Sequence, residues 1–438
     1  MKKGGCLESG SLFLSEFLLQ LIKFLPLQEK KLPPSIDFYI KIVVVSLSRN
    51  CNLGIRQMAI IWRNSALAHR HAEIGGELED WNGMGTAWFY DHTPERAKAD
   101  YEAIRTKAGL MDVSGLKKCH LVGPDAAYVI DRVTTRNVEK IMPGRSTYAC
   151  MLNDQGKFID DCVIYRLAVN SWLVVHGTGT GMEQLSTVAA SKNCEVIFDD
   201  DMHDMSLQGP VAVDFLAKHV PGIRDLAYFG LMQTKLFGRA VMISRTGYTG
   251  ERGYEIFCGR KDAVHLWDSI LSEGADMGIR PVQFSTLDLL RTESYLLFYP
   301  GDNSETHPFD DETCGDTLWE LGLEFTVSPG KIGFIGAENH YSSKGKERFK
   351  IFGVKLNGVT PADEGADLLQ NGKSVGVVTY GMYSDVNQHN VGIARMPVNC
   401  AVAGTALTVR NADGTEIACV ASEMPFYDED KLIRTAKG

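Results

Sequence analysis

Past Phe334 this 438-residue chain changes texture. A polar, charged stretch, "SSKGKERFK" (Ser342 to Lys350), reads as a linker. Beyond it "IFGVKL", "KSVGVVTYG", "VGIARM", "ALTVRN" and "EIACVAS" are short strands spaced by Gly, Asn, Asp and Pro. Strands at that rhythm bury their inward faces by closing on themselves or on a second sheet, which predicts a small β-barrel or sandwich. The body before it, from Trp81, alternates short helices and strands without an internal repeat. Thr93-Pro94 opens a helix that Gly109 closes, and Asp125 is placed to cap another running through Val129 and Val133. The stretch "STYACMLNDQGKFIDDCVIYRL" has the pattern of a β-hairpin, with Tyr148, Cys150 and Leu152 alternating on one arm and Asn153 to Gly156 turning. Asp262 to Ser272 forms a further helix with Val264, Trp267 and Leu271 on one face. The expected fold class is α+β, a body of about 250 residues followed by an all-β domain.

Composition excludes several functions. With 45 Lys and Arg against 55 Asp and Glu, the net charge of −10 and the lack of basic runs argue against nucleic-acid binding. Ten cysteines without a C-x-x-C are too sparse for a disulfide scaffold and suit a reducing compartment, hence a cytoplasmic protein or, in a eukaryote, a mitochondrial-matrix one. Residues 1–57 stand apart, with eight basic and four acidic side chains and two apolar patches. The first patch is broken by Glu16 and Lys23, too short and polar for stable membrane insertion. The segment reads as a mis-called start ahead of Met58, as a targeting leader or as a peripheral membrane anchor.

Several motifs carry little chemistry. Gly177, Gly179 and Gly181 lie between a strand and a helix, but Met182 occupies the place of the third glycine of a dinucleotide turn, so they serve a tight turn. Asp199-Asp200-Asp201 is a solvated acidic turn, and His69 and His71 are surface histidines; no metal site is expected. Two segments differ. Asp160-Asp161 sits in an apolar hairpin arm, where alternation turns one carboxylate inward and one outward, and an inward one needs a partner. In "SRTGYTGERGYEIF" (Ser244 to Phe257) three glycines surround Tyr248 and Tyr254 and lead to Glu255 in a strand. Glycine allows close backbone approach, an aromatic can stack on a flat heterocycle, and a strand carboxylate can accept the paired N–H groups of an amidine-like edge such as a pterin presents.

Taken in order, "AGLMDVSGL", "YACMLNDQGKFIDD", "LQGP", "TGYTGERGYEI", "TLDLLRTES", "GFIGAEN" and "VGIARMP" resemble the glycine-cleavage T-protein, or aminomethyltransferase, family over roughly residues 82 to 430. The resemblance implies a three-lobed cloverleaf around a central folate channel, with two α+β lobes over residues 82–341 and a C-terminal β-barrel over 350–430. It implies tetrahydrofolate as cofactor, Asp160 as the catalytic aspartate, Glu255 on the pterin edge, and Tyr148 and Tyr248 lining the channel. Arg291 corresponds to the arginine of the family's "D-x-L-R-x-E" segment, suited to a folate carboxylate or a polar edge of the cofactor. Departures cluster elsewhere: Gly115-Leu116 replace the usual His-Met, Leu287 an arginine, Tyr295 a glycine, and "NSETHPFDDETCGDTLWE" (Asn303 to Glu320) resembles an insertion. They point to a different one-carbon donor, with His307, Asp310 and Trp319 as candidate donor-pocket residues. The expected function is transfer of a methyl group from a small donor to tetrahydrofolate. The alternatives are a true T-protein working with lipoylated H-protein, and a folate-binding protein without activity.

Overall fold

The computed structural model describes residues 63–308 and 314–437. Residues 1–57 and Asp310 lie outside the described residues. Six strands close the C-terminal barrel in the order Phe349–Leu356, His389–Pro397, Lys373–Ser384, Ala366–Gln370, Ala406–Arg410 and Glu416–Ser422. Val354, Leu368, Val378, Ala394 and Val409 fill its interior. Five of these strands are legible in sequence. The sixth, "ADLLQ", is short and begins with two weak strand formers.

The body is built on two sheets that exchange chain. Ala108–Asp112 belongs to a six-stranded sheet with Leu231–Leu236, Arg239–Ser244, Gly253–Gly259, Met202–Gln208 and Ile279–Pro281. The chain then leaves to build a five-stranded sheet in the order Arg145–Leu152, Phe158–Ala168, Ser171–His176, Lys117–Val122 and Glu195–Phe198, and returns at Met202. Each sheet has one face under helices. Ala149, Met151, Cys162 and Ile164 pack beneath the helices Ala126–Val133 and Gly181–Ala189. Met205, Leu207, Ile256 and Ile243 pack beneath Ala212–Ala217 and Arg260–Gly274.

The opposite faces meet each other. Tyr165, Leu173 and Val175 lie against Leu231, Met242 and Phe257, and the Tyr165 and Phe257 rings cross edge to face at 5.5 Å. At one end of this seam Cys150, Leu152 and Phe158 of the hairpin meet Leu297, Leu318 and Phe334, and Ile351 and Ile393 of the barrel. The hairpin is thus the element that all three lobes share. Arg105 ties them further: its guanidinium pairs with Glu293 at 2.6 Å and Glu251 at 2.9 Å, while Ser384 of the barrel and Tyr427 beyond it donate to those two carboxylates.

Local expectations fare unevenly. Thr93 caps Pro94–Thr106 by accepting the Arg96 N–H, but the helix ends at Thr106. Gly109 lies inside a strand, where a Cβ would come within 2.6 Å of Val282 and 2.7 Å of Ile104. Asp125 stands at the cap position, yet its carboxylate takes the Asn193 N–H instead. The Arg260–Gly274 helix buries Ala263, Leu266, Trp267 and Ile270, with Val264 and Leu271 at the rim. His71 is not a surface residue. It is fully buried, its Nε2 3.1 Å from Asp112 and its Nδ1 2.8 Å from the Tyr90 hydroxyl, because two polar partners and the edge of Trp267 satisfy the ring.

Candidate active site

Alternation along Phe158–Ala168 sends Asp160 and Asp161 to opposite faces. Asp160 turns under the helices and is fully buried. Its Oδ2 accepts the Gly181 N–H at 3.0 Å and lies 2.8 Å from His176 Nδ1, while Oδ1 accepts the Asp161 N–H at 3.0 Å. The carboxylate sits at the N-terminus of the nine-residue helix Gly181–Ala189, where a negative charge is favourable. This explains the neighbouring glycines: a Cβ on Gly179 would stand 2.1 Å from the Ile159 carbonyl and 2.5 Å from Asp160 Cγ. The loop wraps a carboxylate and leaves no room for a Cβ at Gly179 or Gly181. Asp160, the aspartate that the family resemblance singles out, thus has both oxygens taken by protein groups on the helix-covered side.

Asp161 occupies the other face, half-buried, with Cys150 as its register partner and Tyr148 beside it. The Tyr148 hydroxyl donates to its Oδ2 at 2.6 Å. Burial, reinforced by the charge of Asp160, pushes the Asp161 carboxyl up to about 7 against the opposing hydrogen bond from Tyr148. Tyr248 is near enough for Asp161 and Tyr148 to feel it, and its hydroxyl donates to the carbonyls of Leu296 and Leu297. Asp161, Tyr148 and Tyr248 thus converge where the lobes meet.

Glu255 lies further along the same seam, half-buried, accepting from Thr246 Oγ1 and, at 3.2 Å, from the Tyr165 hydroxyl. Burial raises its pKa and the two hydroxyl donors oppose the rise. Thr246 and Tyr165 were not singled out in the sequence; strand alternation from Asp161 would have reached Tyr165.

Arg291 does not present a free guanidinium. It is buried with Nη1 2.6 Å from Asp302 and Nε 2.9 Å from Asp288, and Asp302 also accepts from Thr379 of the barrel at 2.7 Å. The Nε and Nη1 donors that a folate carboxylate would call on already serve acids of the fold. Of the candidate donor-pocket residues, His307 and Trp319 have different partners among the described residues. His307 leans toward the barrel, 3.9 Å from Glu364, whereas Trp319 stacks on His340 at 5.0 Å and donates to its carbonyl.

Two family models match, "GCVT N-terminal domain" over residues 67–331 and "Glycine cleavage T-protein C-terminal barrel domain" over residues 350–428. The chain is 57% identical over 386 residues to the heme-dependent oxidative N-demethylase gamma subunit of Ectopseudomonas mendocina, covering 87% of this chain and 100% of that one. It is 30% identical to an aminomethyltransferase of Halothermothrix orenii, over 79% of this chain and 95% of that one. The crystal structure of the glycine cleavage system aminomethyltransferase T from Bartonella henselae superposes with a TM-score of 0.74 at 26% identity, over 84% of this chain and 98% of that one. Among the described residues no helix is long and apolar enough to cross a membrane.

Proposed function

Because the chain belongs to the glycine cleavage T-protein family, matched over both of its domains, we propose that it binds tetrahydrofolate where its lobes meet and loads it with a one-carbon unit released by an oxidative N-demethylase of which it is a subunit. The similarity along the whole of a gamma subunit named for that activity supports the choice of donor and partner. Oxidation of an N-methyl group delivers its carbon at the level of formaldehyde and not as methyl. The product is then 5,10-methylenetetrahydrofolate rather than the 5-methyl form, and the oxidation itself falls to a partner subunit.

The residues present suit the cofactor. Glu255 is a carboxylate already oriented by two hydroxyls, fit to accept the paired N–H groups of a pterin edge. Tyr148 and Tyr248 offer rings whose hydroxyls are tied to the protein, so each ring is held in one orientation. Tetrahydrofolate, when bound, supplies two amine nitrogens that condense with formaldehyde, and water leaves.

That condensation carries two protons from nitrogen to the departing oxygen. The observation that carries the reading is Asp161, a carboxyl at the junction of the lobes held at about 7. At neutral pH it is populated in both forms, so the anion can accept a proton from nitrogen and the acid can return it to oxygen. Tyr148 holds one carboxylate oxygen and thereby fixes the direction of the other.

The test incubates the purified chain with tetrahydrofolate and isotopically labelled formaldehyde, and follows the product by mass and NMR. The wild type should exceed the spontaneous rate, and Asp161→Asn should lose roughly 100-fold or more of that excess. A 5-methyl product from a methylated donor, or methylene formed only with aminomethylated H-protein, would reject the demethylase reading.

A further inference from the structure

The strand Met202–Gln208 brings a second acid to the seam. Met205 and Leu207 enter the helix-covered core, so Asp204 and Ser206 take the inner face. Ser206 is in register with Glu255 and Asp204 with Phe257. The two acids are therefore diagonal neighbours on one face, at a spacing of roughly 7–8 Å. Asp204 is fully buried, and neither of its carboxylate oxygens has a hydrogen-bond partner among the described residues.

Lys118, 1% exposed, comes from the inner face of the other sheet. Its Nζ donates to the Ser114 carbonyl at 2.7 Å. No ion pair within 4 Å joins it to Asp204 among the described residues, yet each alters the other's ionisation. Glu255 and Asp112 also act on Asp204, and Asp204 acts in turn on Tyr165 and Cys258.

A buried carboxylate and a half-buried one on the same face compete for charge. Glu255 has two hydroxyl donors to stabilise an anion; Asp204 has none, and an ionised carboxylate without donors is costly to bury. Burial, followed by the charge of Glu255, raises Asp204 well above the usual carboxylate range, while burial lowers Lys118 to about 8 against the pull of Asp204.

We propose that Asp204, Lys118 and Glu255 form one titrating unit behind the cofactor edge, in which Asp204 holds the shared proton, Glu255 is left anionic to receive a pterin-like N–H pair, and Lys118, which acts on Asp204, supplies the cation of the unit. The inference rests on the reading that Glu255 receives the folate edge. Asp204 and Lys118 are positioning residues, acting through Glu255.

Infrared spectroscopy of the full chain in the Asp161→Asn background, at about pH 8, reads the proton directly. A protonated-carboxyl band should be present, should vanish on adding Asp204→Asn and should persist on adding Glu255→Gln. A band lost with Glu255→Gln instead, or no band at all, overturns the proposal. Lys118→Met gives a second readout. Glu255 then competes for a proton, so tetrahydrofolate affinity should fall about tenfold at pH 6.5, one unit of pKa, and recover by about pH 8.5 as the carboxylate ionises. A loss of affinity that does not vary with pH would mark Lys118 as structural and overturn its part. Failure of the wild type to bind tetrahydrofolate would reject the folate reading and leave the infrared result standing.

Discussion

Asp160 and Asp161 differ by one residue and by everything around them. Asp160 is enclosed by His176, Gly181 and the Asp161 N–H, while Asp161 faces Tyr148 and the meeting point of the lobes. A carboxyl raised to about 7 binds a proton in the folded chain that the unfolded chain has released. Its effect on stability is therefore absent at low pH, and stability is lost as pH rises from the ordinary aspartate range through about 7. Asp161→Asn should accordingly melt higher than the wild type at pH 8 and not at pH 4, while losing activity. Thermal unfolding at the two pH values checks this, and an equal shift at both would show that Asp161 is not held protonated. Asp160→Asn should do the reverse, lowering the melting temperature at neutral pH because the amide cannot replace an acceptor serving both His176 and the helix N-terminus.

At the scale of elements, the Gly177–Gly181 loop and the Asp160 strand are one unit. Gly179→Ala forces a Cβ against the Ile159 carbonyl and Asp160 Cγ, at 2.1 and 2.5 Å, so the loop must move off the carboxylate. A loss of about 1–3 kcal/mol is expected in urea unfolding, the range found for overpacked sites. Arg291 similarly belongs to an element junction, joining the Thr286–Ser294 helix to the barrel through Asp302 and Thr379. Arg291→Met leaves a buried carboxylate unpaired and should cost about 3–5 kcal/mol of stability. Its tetrahydrofolate affinity, measured by titration on the folded fraction, should stay close to wild type; a selective loss of binding would return Arg291 to the cofactor site.

For the molecule as a whole, the buried Arg105–Glu293–Glu251 network makes the lobes interdependent. It collects a helix of the body, the Thr249–Glu251 loop, Ser384 of the barrel and Tyr427 past it. Glu293→Ala leaves the buried Arg105 guanidinium with Glu251 but without its shorter ion pair, and removes the acceptor for Tyr101 and Ser384, so about 3–5 kcal/mol should be lost. Equilibrium unfolding followed at body and barrel probes checks it. Coincident transitions in the wild type that separate in the variant would show the network to be what couples the lobes.

The sequence by itself determined five of the six barrel strands, the hairpin and the family, because each rests on local periodicity, turn residues or the order of short motifs. It also marked the Asp160-Asp161 pair, Tyr148, Tyr248 and Glu255 as residues worth following. Tertiary structure alone decided which aspartate faces the lobes' meeting point. Alternation states that two neighbours part, but not which sheet face receives helices, and that depends on where the Gly181–Ala189 helix returns. The same holds for His71, Arg291, Asp204 and Lys118. A charge is a surface group, a strut or a site residue according to partners more than 10 positions away in the chain, such as Asp112 for His71 or Asp302 for Arg291. Burial and pairing are set by long-range contacts, and a short-range pattern carries no record of them.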